Sequence, residues 1–410
     1  MAGGEFPSRL QQPMKRYNFD EIVDRRESSS LKYEACRACS NPWLPEDHIP
    51  MWVADMDFAC PQPMLDAMKR RLDRRILGYS IHLPDNYYEA VIRWLRRRHG
   101  IEVTRDNISF STSVIDSARQ AIHWFTQVGD GVILHTPGYA HLHSPILDLD
   151  RRPVLLPLRE EDGWYSFDYE ELEQQAKKPE NKLFMLCSPH NPSGRVWTEE
   201  ELRRVAEICF ANDMAIFCDE IHHDLTRCGV KTISLTALYP GDPRIVTAIS
   251  TSKTFNTAGN NHSYVLVYDH AAKLAYDDSI YCGAPNPLSI EAVIAAYEEC
   301  EDWVDELRAY LDENFRTLKE FIDENLPRAR FRIPEGTYLA WVDLRAYGLS
   351  DAELFHRISA AGLLLEYSED FIQDGTGFVR LNLACPRETV RQACLRLKEA
   401  LSYPQKKKGS

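Results

Sequence analysis

Apolar residues along this chain fall into short blocks separated by polar stretches that carry helical periodicity. Ile108-Ser109-Phe110, Val132-Ile133-Leu134, Leu183 to Cys187, Ala215 to Cys218, Ile245 to Ile249 and Tyr264 to Val267 are each short and almost wholly apolar. Runs of that length and composition read as strands buried on both faces. Helices are expected between them. One starts near Pro61 and Pro63 and runs to about Arg75, and a basic amphipathic one covers about Asp85 to His99. Another leaves the Ser111–Asp116 stretch for about Gln127, and a further one opens at Thr198 with Glu201 closing a capping box. Strand, loop and helix in repeated succession indicate a mostly parallel sheet covered by helices.

The pattern changes after Pro285-Asn286-Pro287. Trp303, Leu307, Leu311, Phe315, Leu318 and Ile322 recur every three or four residues, the apolar stripe of one long helix that Pro327 ends. Strands are expected at Thr337–Val342 and Phe378–Leu383, with helices at about 351–361 and 387–402. These form a compact α+β unit. Before the sheet region, Ile49 to Phe58 is apolar but interrupted by Asp55 and Asp57, and it reads as an extended segment laid across a groove. The expected organisation is therefore a large domain over 61–300 and a small α+β domain from 16–60 and 301–403. Polar ends at 1–15 and 404–410 read as disordered.

Composition narrows the class. The chain has 410 residues, 44% hydrophobic and 27% charged, with a net charge of -14. That charge argues against general nucleic-acid binding. No apolar run is long enough to span a bilayer, and Met1–Ser30 shows no hydrophobic signal core. Cys187, Cys209 and Cys218 lie in apolar runs where a reduced thiol is expected, so a reducing, cytoplasmic setting follows. Cys36-x-x-Cys39 lacks the second pair or histidines that would complete a zinc site, and no metal is expected.

In parallel sheets ligands gather at the carboxyl ends of strands. Here those ends carry Tyr139, Asn191, Asp219 and Lys253. A lysine in a Ser250-Thr251-Ser252-Lys253-Thr254 loop can condense with a carbonyl as a Schiff base, the way pyridoxal phosphate (PLP) is held. A carboxylate such as Asp219 beneath a pyridine nitrogen keeps it protonated. Tyr139 can stack on a planar ring, and Asn191 can donate to a phenolic oxygen. Each also has a plain structural reading as a turn or core residue. Arg380 sits inside an apolar strand and needs an anionic partner, which a substrate carboxylate or an internal acid would supply equally.

Asn191-Pro192-Ser193-Gly194, Asp219-x-x-His222, Ser250-x-x-Lys253 and Arg380, in that order, resemble the fold-type I PLP enzymes of the aspartate aminotransferase superfamily. Pro50 to Phe58, Ser188 to Pro192, Asp219-Glu220-Ile221-His222 and Ser252 to Asn256 resemble its MalY/PatB-like cystathionine β-lyase (C–S lyase) group. The similarity spans about residues 16 to 403. It implies a large PLP-binding domain with a mostly parallel seven-stranded sheet and a smaller α+β domain. Lys253 would hold the cofactor and move the Cα proton, and Asp219, Asn191 and Tyr139 would contact the ring with His222 beside its phenolic oxygen. Ser250, Ser252 and the amides around Val114 and Ile115 would hold the phosphate.

The resemblance further implies that Arg380 binds the substrate carboxylate, with Val53 and Ala54 at the pocket entrance. Tyr79 would enter from the other subunit of a homodimer. One departure stands out. The group usually continues with apolar residues where this chain has Asn260-Asn261-His262-Ser263, and Asn261 stands where many aminotransferases carry a phosphate-binding arginine. The implied activity is β-elimination from L-cystathionine or a related S-substituted L-cysteine. Transamination between an L-amino acid and a 2-oxo acid, a racemase, or a PLP-fold regulatory protein are the alternatives.

Overall fold

The computed structural model describes residues 17–34, 41–80 and 83–402. The two polar ends, and Cys36 and Cys39, lie outside the described residues.

The apolar runs pair into one sheet. In chain order its strands are β1 (Ile108–Ser111), β2 (Gly131–Thr136), β3 (Arg152–Pro157), β4 (Asn181–Cys187), β5 (Ala215–Asp219), β6 (Ile245–Ile249) and β7 (Ser263–Val267). The spatial order is β1-β7-β6-β5-β4-β2-β3. All neighbours are parallel except β7, which runs antiparallel to both β6 and β1. β1, β2, β5, β6 and β7 are buried at every position, as a sheet covered on both faces requires. Because β1 points the same way as β6, its carboxyl end meets those of β2, β4, β5 and β6 along one edge. That edge is where the site forms.

The helix caps follow from the sequence. Ser113 accepts a hydrogen bond from the Asp116 amide at 3.0 Å and starts the helix Val114–Phe125. Thr198 and Glu201 form the reciprocal box that opens Glu199–Phe210. The long helix, Glu301–Asn325, joins two cores. Trp303, Leu307 and Leu311 pack with Trp94, Phe255 and Tyr297 beside the sheet. Phe315, Leu318 and Ile322 pack instead with Leu363, Val379, Leu381 and Leu397 in a second core. That second core carries the antiparallel sheet of β8 (Leu339–Asp343), β9 (Glu366–Tyr367) and β10 (Phe378–Asn382), with β10 in the middle.

The segment Ile49–Phe58 is extended, as its composition indicates. Ile49 and Pro50 pair with Leu363 and Leu364, and the Asp57 amide donates to Ala384 O at 2.8 Å. Its two aspartates serve the fold. Asp57 takes Lys32 at 2.7 Å and Arg25 at 2.9 Å, and Asp55 takes Arg25 at 2.6 Å. Lys32 is fully buried there, which only a paired ammonium tolerates.

Candidate active site

Lys253 lies in a single helical turn, Thr251–Thr254, directly after β6. Ser250 caps that turn by accepting from the Ser252 amide at 3.0 Å. Asn256, at φ 59, ties the turn to the extended segment. Its side chain accepts from the Met56 amide and donates to the Met56 and Phe58 carbonyls, each at 3.0 Å. Asn382 holds the same segment from the other side, donating to Val53 O at 2.7 Å and Asp55 O at 2.5 Å. The Ala54 carbonyl is thereby fixed where Lys253 Nζ donates to it at 2.6 Å and the Tyr338 hydroxyl at 2.7 Å.

A cavity of about 300 Å³ opens beside Lys253. Its wall contains Val53, Ala54, Val114, Ile115, Tyr139, Asn191, Asp219, His222, Ser250, Ser252 and Arg380, every residue given a cofactor or substrate contact from the sequence except Tyr79. Tyr79 is fully exposed and off the cavity of its own chain.

Burial sets the electrostatics. It lowers the Lys253 pKa to about 8, against the opposing pull of Asp55, with Arg380 adding repulsion. Burial raises the Asp219 carboxyl to about 6, although the Ile221 amide donates to it at 3.1 Å. His222 is held neutral, first by burial and then by the charges of Lys253 and Arg380, and its Nδ1 has no hydrogen-bond partner. His222, buried on the cavity wall, thus keeps a ring nitrogen that the protein does not satisfy, the situation of a residue that binds something.

Arg380, at the centre of β10, donates to Asn191 Oδ1 at 3.0 Å and to Trp52 O at 3.1 Å, while its Nε has no partner. Across the antiparallel register it faces Glu366 of β9, and the two side chains form an ion pair. The internal acid that the apolar strand called for is therefore present. Arg380 lines the cavity, and of its three guanidinium nitrogens only the buried Nε is left without a partner.

One end of the cavity lies at the start of Val114–Phe125, whose first amides have no carbonyl partner within the helix. The nearby hydroxyls are already engaged. Thr112 and Ser113 donate to Asp116 at 2.7 and 2.6 Å, and Ser250 donates to His262 O at 2.5 Å. Asn261, at φ 48, and His262 line the wall, so part of the polar departure does reach the cavity. Burial lowers the His262 pKa to about 3, leaving a neutral ring whose Nε2 meets the Tyr87 hydroxyl at 2.9 Å. Ser263 is taken into β7.

Glu366, His141, Cys187, Asn256 and Asn382 were not assigned to the site from the sequence. The first three line the cavity, and the two asparagines hold the segment that closes it. A charged residue in the Leu363-Leu364-Leu365-Glu366-Tyr367 run was the available signal for Glu366. Asn256 and Asn382 act through backbone contacts to distant segments, which leave no local pattern, and His141 stacks on Tyr139.

A lysine on the loop after β6, a carboxylate at the end of β5 and an asparagine after β4, on this sheet order, define a fold-type I PLP-dependent enzyme. The chain belongs to the class I and II aminotransferase family, whose model matches residues 47–397. It is 36% identical over 391 residues to cystathionine beta-lyase PatB of Bacillus subtilis (strain 168), covering 94% of this chain and 100% of that one. Protein MalY of Escherichia coli (strain K12) is 30% identical over 391 residues, 94% and 99% of the two chains. Among solved structures, the PLP-bound C–S lyase from Staphylococcus hominis superposes with a TM-score of 0.89 at 34% identity, covering 95% of this chain and 99% of that chain.

Proposed function

We propose that this protein is a PLP-dependent carbon–sulfur β-lyase acting on L-cystathionine or a related S-substituted L-cysteine. The observation that carries the reading is Lys253, a buried amine with its pKa lowered to about 8, opposite the buried Asp219 carboxyl in a cavity of about 300 Å³. The unpartnered His222 Nδ1 and Arg380 Nε are what a ring oxygen and a carboxylate would satisfy. The residues fit the cofactor.

In this reading Lys253 would hold PLP through its amine and Asp219 would pair with the ring nitrogen. Asn191 and His222 would hold the ring oxygen, Tyr139 would stack on the ring, and Ser250, Ser252 and the Val114 and Ile115 amides would take the phosphate. Bound PLP supplies the electron sink that lets a Cα–H bond break. Arg380 binds the substrate α-carboxylate in the bidentate geometry a guanidinium favours. With Asn191 it orients Cα–H toward Lys253. The Lys253 amine, free once substrate is bound, would take the Cα proton. The thiolate leaves Cβ, and the 2-aminoacrylate released is hydrolysed to pyruvate and ammonia. Transamination uses the same residues and differs in where the proton goes.

The cavity of one chain lacks Tyr79, which stands fully exposed next to the exposed Ile76 and Leu77. An exposed apolar strip of this kind supports a homodimer in which Tyr79 completes the neighbouring subunit's site. The domain limits given above, 61–300 against 16–60 with 301–403, belong to the same proposal, as does a cytoplasmic setting. Among the described residues the cysteines are free thiols, and no helix is long and apolar enough to cross a membrane.

The test is Lys253→Ala. The variant should lose covalent attachment of PLP and release no thiol from L-cystathionine. Thiol release at the wild-type rate would overturn the assignment.

A further inference from the structure

Residues 25–32 form a strap on the extended segment Ile49–Phe58, the segment whose Ala54 carbonyl accepts from Lys253. Charge ties the strap down at both ends. Arg25 pairs with Asp55 and Asp57 and donates to Met56 O at 3.1 Å. Lys32, buried on Asp57, also donates to Asp55 O at 3.3 Å. From the other direction the Trp52 indole donates to Lys32 O at 3.0 Å. Between the two ties the backbone bends through Glu27 at φ 54 and Ser29 at φ 59. Residues other than glycine stay in that region only where their surroundings enforce it.

What this anchoring positions is Leu31. Ser30 is 9% exposed and Lys32 0%, while Leu31 between them is 62% exposed and lines the Lys253 cavity, so it stands at the mouth. A single exposed leucine is ordinary. Here its backbone is fixed on both sides, and its side chain continues a wall to which Trp52 and Val53 also belong. Trp52 O accepts from Arg380 at 3.1 Å, so this wall starts at the group assigned to the substrate carboxylate.

Among the described residues the charges on the cavity wall are Lys253, Asp219, Arg380 and Glu366. Under the β-lyase reading the first two serve PLP, and Arg380 takes the α-carboxylate with Glu366 beside it. Burial keeps His222 and His262 neutral, and the His141 ring stacks on Tyr139. With the carboxylate on Arg380 and Cα beside Lys253, the sulfur substituent is the part of the substrate left to reach the mouth. The wall there is apolar.

Building on the β-lyase reading, we propose that Leu31, with Trp52 and Val53, forms the subsite for the substrate's sulfur substituent and selects S-alkyl- and S-aryl-L-cysteines, whose leaving thiol is apolar. L-Cystathionine is the poorer substrate, because its leaving group carries an ammonium and a carboxylate. Against this wall both lose water without gaining a partner. Pockets of this make-up bind by apolar contact and use a few polar groups to orient the ligand. Even one methylene of such contact gives discrimination of about tenfold or more.

The experiment uses the holoenzyme and its Leu31→Ala variant. Leu31 lies outside the apolar cores, so its truncation leaves the fold intact. Steady-state kcat/KM is measured by pyruvate release from S-benzyl-L-cysteine, from S-methyl-L-cysteine, whose substituent is a single carbon, and from L-cystathionine. Wild type should favour S-benzyl-L-cysteine over L-cystathionine by about tenfold or more. Leu31→Ala should lose about tenfold on the benzyl substrate, chiefly through KM, and about twofold or less on the methyl one. A benzyl substrate no better than L-cystathionine, or equal losses on the benzyl and methyl substrates, overturns the proposal. Binding gives a second reading that needs no elimination. The analogues of the benzyl and methyl substrates with CH₂ in place of sulfur, titrated by cofactor absorbance, should weaken by about tenfold and about twofold in Leu31→Ala. Equal weakening of the two overturns the subsite. No pyruvate from any of the three substrates overturns the lyase reading instead, and the binding split then decides the subsite on its own.

Discussion

Replacing Asp219 by Asn should have opposite effects on the protein without and with its cofactor. The Asp219 carboxyl is 5% exposed, and burial raises its pKa from 3.8 to about 6. Burial penalises the ionised form, so the folded chain holds this proton more tightly than the unfolded chain does. The penalty is absent below about pH 4, grows as the pH rises, and is complete above about pH 6. At 1.36 kcal/mol per pH unit it amounts to about 3 kcal/mol. Asparagine has the same shape, keeps an oxygen for the Ile221 amide and never ionises. Cofactor-free Asp219→Asn should therefore be more stable than wild type by up to about 3 kcal/mol at pH 8, with about half that gain at pH 5.

With PLP bound the sign reverses, because the carboxylate then has a cationic ring nitrogen to pair with. The variant should bind PLP about tenfold more weakly or worse. Urea unfolding of both proteins at pH 5 and 8, at one fixed subunit concentration, measures the first effect. Equilibrium titration with PLP measures the second. A stability difference that does not grow with pH, or a variant that binds PLP as tightly as wild type, would refute the assignment of Asp219 to the ring nitrogen.

Three further outcomes follow from the same geometry. Lys253 is about half neutral at pH 8, where a lysine of ordinary pKa is neutral in well under 1% of molecules. Imine formation with added PLP, followed by absorbance on cofactor-free protein, should thus rise with pH to a midpoint near 8, and a midpoint near 10 would contradict the burial argument. Glu366→Gln removes the internal partner of Arg380; KM should fall by about fivefold, about 1 kcal/mol, with kcat little changed, and a higher KM would mean that Glu366 itself binds substrate. Tyr79→Ala and Lys253→Ala should each be inactive alone, but mixed and reassembled they should recover about a quarter of wild-type activity, because half the dimers are hybrids with one intact site. No recovery would place Tyr79 outside the shared site.

How much of this was legible beforehand depended on how locally each residue acts. Tyr139, Asn191, Asp219 and Lys253 could be grouped from sequence because each directly follows an apolar strand, and parallel strands put those ends on one edge. Arg380 stood out as a charge in an apolar strand, but its partner did not, since Glu366 reaches it only through the register of β9 on β10. Asn256 and Asn382 clamp backbone from across the fold and leave no periodic signal. Tyr79 came from resemblance alone. The strand expected to begin at Thr337 begins at Leu339, because Thr337 turns at φ 67 and its hydroxyl oxygen accepts from the Leu339 amide at 3.1 Å. A π-helical turn over Leu95–His99 was invisible, because its side-chain pattern matches that of the α-helix it continues, Asp85–Trp94.

The most direct test of the account is to incubate the purified holoenzyme with L-cystathionine, with and without an added 2-oxo acid, and to quantify pyruvate, ammonia and free thiol. The account predicts equal amounts of all three without any oxo acid. Product that appears only when the oxo acid is present would contradict it and make the enzyme an aminotransferase.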